Sequence, residues 1–485
     1  MQRLPQDSKN TNDKNSFYNN YWLEHFFESV ESNYKQTNTL LKELQNKLNE
    51  LSIHDFDHML NHISISLNPK YYPMTNKDVF KLTLETGGEN LINGFSNLNE
   101  HIKKGKLPSL SDVQSFKLGE NLATSRGNVI YRNDLMEIIH YTPIKKNKHK
   151  TPILIVPPWI NKFYIFDLTD EKSFVQYNLK KGIDVFVISW KNPDENDKHL
   201  TLNYYVEHGI EEAIQFIDKK INLLGFCLGG VGTCIATLAH KKNLIESLTL
   251  LATPIDFTKL TELQNFIRPL NFKEYKKSIL KKGYKCGKDL LRMFCLMRAE
   301  NMIMDNIVHQ YYLNKEPKPN PFLYWNMDAT NLPARMHIDY LEKFFYKNQL
   351  YRGVYHYNGE KLSFKNLKIP IFVLMTEKDH IVPKESSLGL QKFNIDATYV
   401  LGGSGHIAGV INPPEQKKYH YQVLNQNNGT NIKKDFSWWD EWYKWLKPKL
   451  GEKIKMDNNF EPIDTAPGLY AMNQPALKDY LPSIS

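Results

Sequence analysis

The sequence predicts an α/β protein: a largely parallel sheet covered by helices on both faces, with one nucleophile lifted above a strand end. Two observations carry this. Short apolar strands alternate with helix-forming stretches from Ile153 onward, the pattern of strands buried on both faces between crossover helices. Residues 225–230 read Gly225-Phe226-Cys227-Leu228-Gly229-Gly230, a strand–turn–helix elbow with cysteine where serine is usual. Small flanking residues let the backbone make that sharp turn.

The elements follow in order. The first ~15 residues are polar, rich in Asn, Asp and Lys, and are expected to be disordered. From Phe17 to Leu51 the pattern turns helical, with Leu41, Leu44, Leu48 and Leu51 on one face, as are Trp22 and Phe26. It stays mostly helical to about residue 110, broken at Asn68-Pro69 and Gly87-Gly88. Residues 1–110 are therefore expected to form a mostly helical N-terminal domain, and residues 111–485 the catalytic domain. Strands are expected at Asn128–Tyr131, Ile138–Tyr141, Ile153–Val156, Asp184–Ser189, Ile221–Leu224, Leu248–Ala252, Ile371–Met375 and Thr398–Leu401. The interval between Ala252 and Ile371 is far too long for an ordinary crossover. It is rich in helix formers and aromatics, including Phe322, Tyr324 and Trp325, and reads as a cap inserted at 256–365.

An elbow cysteine needs a base, and a third group to orient the base. In α/β-hydrolases the chain order is nucleophile, acid, histidine. Asp379 follows the strand Ile371–Met375, and His406 follows the strand Thr398–Leu401 in Gly402-Gly403-Ser404-Gly405-His406. Ligands in such sheets sit beyond the C-terminal strand ends. Cys227, Asp379 and His406 are thus the expected catalytic residues, on an α/β-hydrolase fold. Gly405 is expected to leave room for the imidazole loop to approach the elbow. His380 is a competing base and Asp256 a competing acid, while Cys234 is expected to pack beneath its helix. An oxyanion hole needs two backbone N–H groups. Leu228 is expected to supply one. Pro157 and Pro158 have no N–H, so Trp159 or Ile160 supplies the other.

Composition removes some functions. No apolar run approaches the ~20 residues of a membrane-spanning helix. The polar start shows no secretory signal, and four cysteines are too few for a disulfide framework, which favours a reducing cytoplasm. The formal charge of +9 fits solvated surface or a small polyanion such as coenzyme A, and no nucleic-acid motif accompanies it. His54, His58 and His62 would share a helix face, but no metal motif supports them and a solvated helix is the simpler reading. Neither a metal nor a cofactor is expected.

Several segments together resemble the polyhydroxyalkanoate synthases, specifically the class I enzymes. They are the GFCLGG box, IVPPWINKFYIFDL at 155–168, VISWKNPDE at 187–195, LYWNMDATNLPARMH at 323–337, EKDHIVP at 377–383 and GGSGHIAGVINPP at 402–414. The resemblance runs from about residue 90 to the family ending at Ala466-Pro467-Gly468-Leu469-Tyr470. Residue by residue it matches Cys227 to the family nucleophile, Asp379 to the catalytic aspartate and His406 to the catalytic histidine. Some relatives carry a cysteine at the position of Trp159, so a thiol there is not required. The resemblance implies a (R)-3-hydroxyacyl-coenzyme A substrate, a growing polyester chain, a polymer-granule surface and a homodimer in the cytoplasm.

Overall fold

Runs of branched and aromatic residues build one sheet of eleven strands. In chain order these are β1 (Gly127–Arg132), β2 (Met136–Tyr141), β3 (Ile153–Val156), β4 (Val185–Trp190), β5 (Ile221–Phe226) and β6 (Ile245–Leu251). They continue as β7 (Ile371–Thr376), β8 (Ala397–Gly402), β9 (His420–Leu424), β10 (Ile432–Asp435) and β11 (Asp464–Thr465). The spatial order is β10-β9-β8-β7-β6-β5-β3-β4-β2-β1-β11. The six strands β3 to β8 pair in parallel. Every residue of β3, β4, β5 and β7 is buried, as unbroken apolar strands require.

All eight expected strands form, with ends shifted by a few residues. The sheet is nevertheless mixed. β1, β2 and β11 add antiparallel on one side, β9 and β10 on the other. These outer strands carry polar residues, so their pattern lacks the apolar run that marks the centre.

Register aligns the chemistry. Val156 pairs with Gly225, Phe226 with Leu251, Leu251 with Leu374, and Thr376 with Gly402. The loops after β3, β5, β7 and β8 therefore leave the same edge of the sheet.

The computed structural model describes residues 11–50, 57–103, 108–143, 147–267, 271–424, 431–456 and 460–478. It divides into two compact units: Met1–Leu110 with Phe294–Lys318, and Ser111–Met293 with Pro319–Ser485. The second holds the sheet. The first begins with helices α1 (Thr11–Glu50), α2 (Asp57–Ser66), α3 (Lys77–Glu85) and α4 (Glu89–Lys103). α1 begins at Thr11, and residues 1–10, most of the expected disordered start, lie outside the described residues.

Within the 256–365 interval, Phe294–Lys318 groups with the N-terminal helices. A Cβ on Gly94 of α4 would fall 1.7 Å from Tyr311 O. Asn90 Nδ2 donates to Tyr312 O at 2.7 Å, and Tyr71 donates to Glu300 and Asp305. On α1 Phe27 is buried, edge-on to Phe80, while Phe26 and Leu44 are exposed; the side chains of Trp22 and Leu48 lie outside the described residues. Leu51 and His54 lie outside the described residues.

Candidate active site

The elbow is built from close backbone contacts. β5 ends at Phe226, and helix α5 (Leu228–Ala239) starts one residue past Cys227. Cys227 takes φ 52° and ψ −119°, a conformation that costs a non-glycine residue roughly 1–3 kcal/mol. Two hydrogen bonds hold it: Cys227 N donates to Leu251 O at 2.9 Å, and Gly230 N to Cys227 O at 3.0 Å. The glycines permit this. A Cβ on Gly229 would fall 2.2 Å from Val156 O, and one on Gly230 would fall 1.9 Å from Thr253 Oγ1. The start of α5 therefore lies directly on the end of β3.

Asp379 and His406 meet above neighbouring strands. His406 Nδ1 lies 2.7 Å from Asp379 Oδ2, with both side chains buried. Asp379 Oδ2 also accepts from the Thr376 hydroxyl at 2.9 Å, and Oδ1 accepts from the Ile381 and Val382 amides at 3.0 and 2.8 Å. Four donors thus fill its acceptor positions. With Nδ1 committed to Asp379, Nε2 is the nitrogen left for Cys227, whose sulfur is near enough to influence the imidazole. The ring stacks on Phe226 at a centroid distance of 5.2 Å.

Electrostatics favour a charged histidine. Burial opposes its protonation, but the Asp379 carboxylate and the Cys227 sulfur together push His406 up to about 10. Asp379 shifts the other way. Burial disfavours its charge, yet His406 and the surrounding hydrogen bonds hold it below the ordinary 3.8.

The competing residues have other work. Asp256 Oδ1 accepts from Asn348 Nδ2 and from the amide and hydroxyl of Thr258, so it caps a turn. Asp379 bonds His406. Cys234 is fully buried, which pushes its thiol well up. Gly405 proves less necessary than expected: a Cβ there would meet only Lys378 O, at an ordinary 3.4 Å.

Sequence reasoning missed several supporting residues. The Trp438 and Trp439 ring N–H groups donate to Gly409 O and Val410 O at 2.9 and 3.0 Å, fixing the far end of the His406 loop. Tyr340, at the end of helix α6 (Ala334–Tyr340), lies near Cys227, and burial pushes its hydroxyl well up. Only the WW pair was conspicuous in sequence, as two large aromatics side by side. Among the described residues, no group of acidic, histidine or cysteine side chains could hold a metal.

A cysteine elbow at the end of β5, with a buried Asp–His pair on the loops after β7 and β8, defines a protein of the α/β-hydrolase fold. A family model for that fold matches residues 151–413. A second, described as Poly-beta-hydroxybutyrate polymerase (PhaC) N-terminus, matches residues 12–178. The poly(3-hydroxyalkanoate) polymerase of Methylorubrum extorquens is 36% identical over 428 residues, spanning 84% of this chain and 71% of that protein. The polymerase subunit PhaC of Rhizobium etli is 32% identical over 97% of this chain and 78% of its own length. That of Cupriavidus necator is 33% identical over 84% and 73%. The chain belongs to the poly(3-hydroxyalkanoate) polymerase (PhaC) family, and its activity is that of an acyltransferase.

Proposed function

We propose that the chain polymerises (R)-3-hydroxyacyl-coenzyme A, with 3-hydroxybutyryl-coenzyme A as the expected substrate, through an acyl thioester on Cys227. The Asp379–His406 hydrogen bond, formed beside the Cys227 elbow, supports this reading. His406 holds the proton that Cys227 gives up, as an imidazolium beside the sulfur, and the thiolate attacks the substrate thioester carbon. The oxyanion is held by the Leu228 N–H and by Trp159 or Ile160. Coenzyme A leaves as a thiol, taking the proton back from His406, and the acyl group stays on sulfur. Thiol-for-thiol exchange keeps that group activated. A serine would store it as a less reactive oxygen ester. The 3-hydroxyl of another unit then gives its proton to His406 and attacks the acyl carbon. An ester forms and the sulfur is released.

Asp379 orients His406 rather than taking the hydroxyl proton itself, because its two oxygens already accept four hydrogen bonds. Burial of His406 supports the exclusion of water, which would otherwise hydrolyse the intermediate. Granule association is supported by apolar side chains exposed on the N-terminal helices, among them Leu84, Ile92 and Ile102. No helix among the described residues is long and apolar enough to cross a membrane. Homodimer formation is part of the same reading, and sedimentation tests it.

Incubation with 3-hydroxybutyryl-coenzyme A tests the chemistry. Insoluble polymer and free coenzyme A are expected, and Cys227→Ala should abolish both. Free 3-hydroxybutyrate in place of polymer would mark a thioesterase and overturn the proposal. Coenzyme A release that survives in Cys227→Ala would overturn the nucleophile, and absence of release from the parent chain would favour a non-catalytic scaffold.

A further inference from the structure

The loop after β3 is pinned from outside through its carbonyls. Pro157 O accepts from Trp190 Nε1 at 2.9 Å, and Lys162 O from Trp325 Nε1 at 2.7 Å. Between them a single residue makes two bonds. Thr330 Oγ1 donates to Trp159 O at 2.7 Å, and Thr330 N donates to Ile160 O at 3.0 Å. The amides of Trp159 and Ile160 donate to no backbone carbonyl among the described residues.

A trans peptide is planar, so its C=O and the N–H that follows point in opposite directions. The bond to Trp159 O therefore aims the Ile160 N–H away from Thr330. The Trp159 N–H shares its plane with Pro158 O, to which Thr330 makes no bond. The Trp159 ring is turned into Trp190 and Tyr205, and it backs onto Gly232 of α5. Ile160 is the first residue of the segment 153–160 that is not buried.

We propose that Thr330 is a positioning residue. Its hydroxyl orients the 159–160 peptide so that the Ile160 N–H, together with the Leu228 N–H, receives the oxyanion. This rests on the acyl-cysteine reading above. Thr330 is itself rigidly held. A Cβ on Gly287 would fall 2.6 Å from Thr330 O, and the next amide, Asn331 N, donates to Asn192 Oδ1 at 2.8 Å. The elbow side is equally fixed, since Gly229 lies against Val156 O and Pro157 O.

Thr330→Val keeps the shape and removes the donor. Deleting an oxyanion donor outright costs about 10²–10³ in kcat, and losing only its orientation should cost less. The expectation is a kcat for 3-hydroxybutyryl-coenzyme A lower by about 10-fold, with KM nearly unchanged and most activity restored in Thr330→Ser. Wild-type kcat in Thr330→Val, a loss carried wholly by KM, or a serine variant no better than valine would each overturn the proposal. Should the valine variant fail to fold, replacing Ile160 by its α-hydroxy acid decides. That converts the 159–160 amide to an ester without an N–H. A kcat loss of about 100-fold supports the assignment, and an unchanged kcat sinks it. Cys227→Ala serves as the reference. Coenzyme A release that survives there defeats the acyl-cysteine reading. If release is lost there while the Thr330 variants behave as wild type, only the Thr330 assignment fails.

Discussion

At the scale of the residue, the site is a set of mutually enforced charges. His406 pairs with a carboxylate that three further donors hold in place, beside a cysteine in a strained turn. Its folded-state pKa lies above the ordinary 6.5, at about 10. The stabilisation it brings is therefore complete below pH 6.5 and is lost as pH rises through about 10. Asp379 is depressed, so its contribution is present above 3.8 and is lost as pH falls through its lowered value. Thermal unfolding of the parent and of His406→Gln across the alkaline range should show their stability difference shrinking toward pH 10. A difference that grows with pH would show that the histidine is neutral in the folded chain. Cys227, Asp379 and His406 were legible singly in the sequence, because each follows an apolar strand in a fixed order. The hydrogen bond between two of them was not, since no local pattern records which carboxylate a distant imidazole will meet.

At the scale of the element, parallel register does most of the positioning. β5 and β8 are three strand spacings apart, about 14 Å. The loop from Gly403 to Ile411 must cross that span for His406 to reach Cys227. It is anchored at its far end by Trp438 and Trp439 through Gly409 O and Val410 O. Trp438→Phe removes one anchor and leaves a buried carbonyl unpaired, which should cost about 1–3 kcal/mol. Urea unfolding measures that loss. A fall in kcat of about 10-fold should accompany it if the anchor holds the imidazole within reach of the sulfur. The central strands were legible from their apolar runs. The outer strands β9, β10 and β11 were not, because an edge strand solvated on one side carries too little apolar pattern to distinguish it from a loop.

At the scale of the whole molecule, the chain has two compact units, and one is assembled from distant segments. Phe294–Lys318 belongs with the N-terminal helices through Gly94, Asn90 and Tyr71. Gly94→Ala puts a Cβ against the Tyr311 carbonyl, and overpacking of this kind costs about 1–3 kcal/mol. Guanidinium unfolding followed by tryptophan-independent circular dichroism should show the loss. An unchanged unfolding curve would show that this helix contact yields without cost.

By itself the sequence determined the central strands, the elbow and the three residues proposed to carry the chemistry, because each is written in local pattern: apolar runs, small residues at a turn, titratable groups just past strand ends. Tertiary structure alone decided the partnerships. It chose Asp379 over Asp256 by surrounding one with His406 and the other with Asn348. It drew part of the long insertion into the N-terminal unit. It also brought Thr330 onto the carbonyls of Trp159 and Ile160. These are contacts between residues far apart in the chain, fixed by packing and by the direction of single peptide planes, and neither is recorded in a run of neighbouring residues.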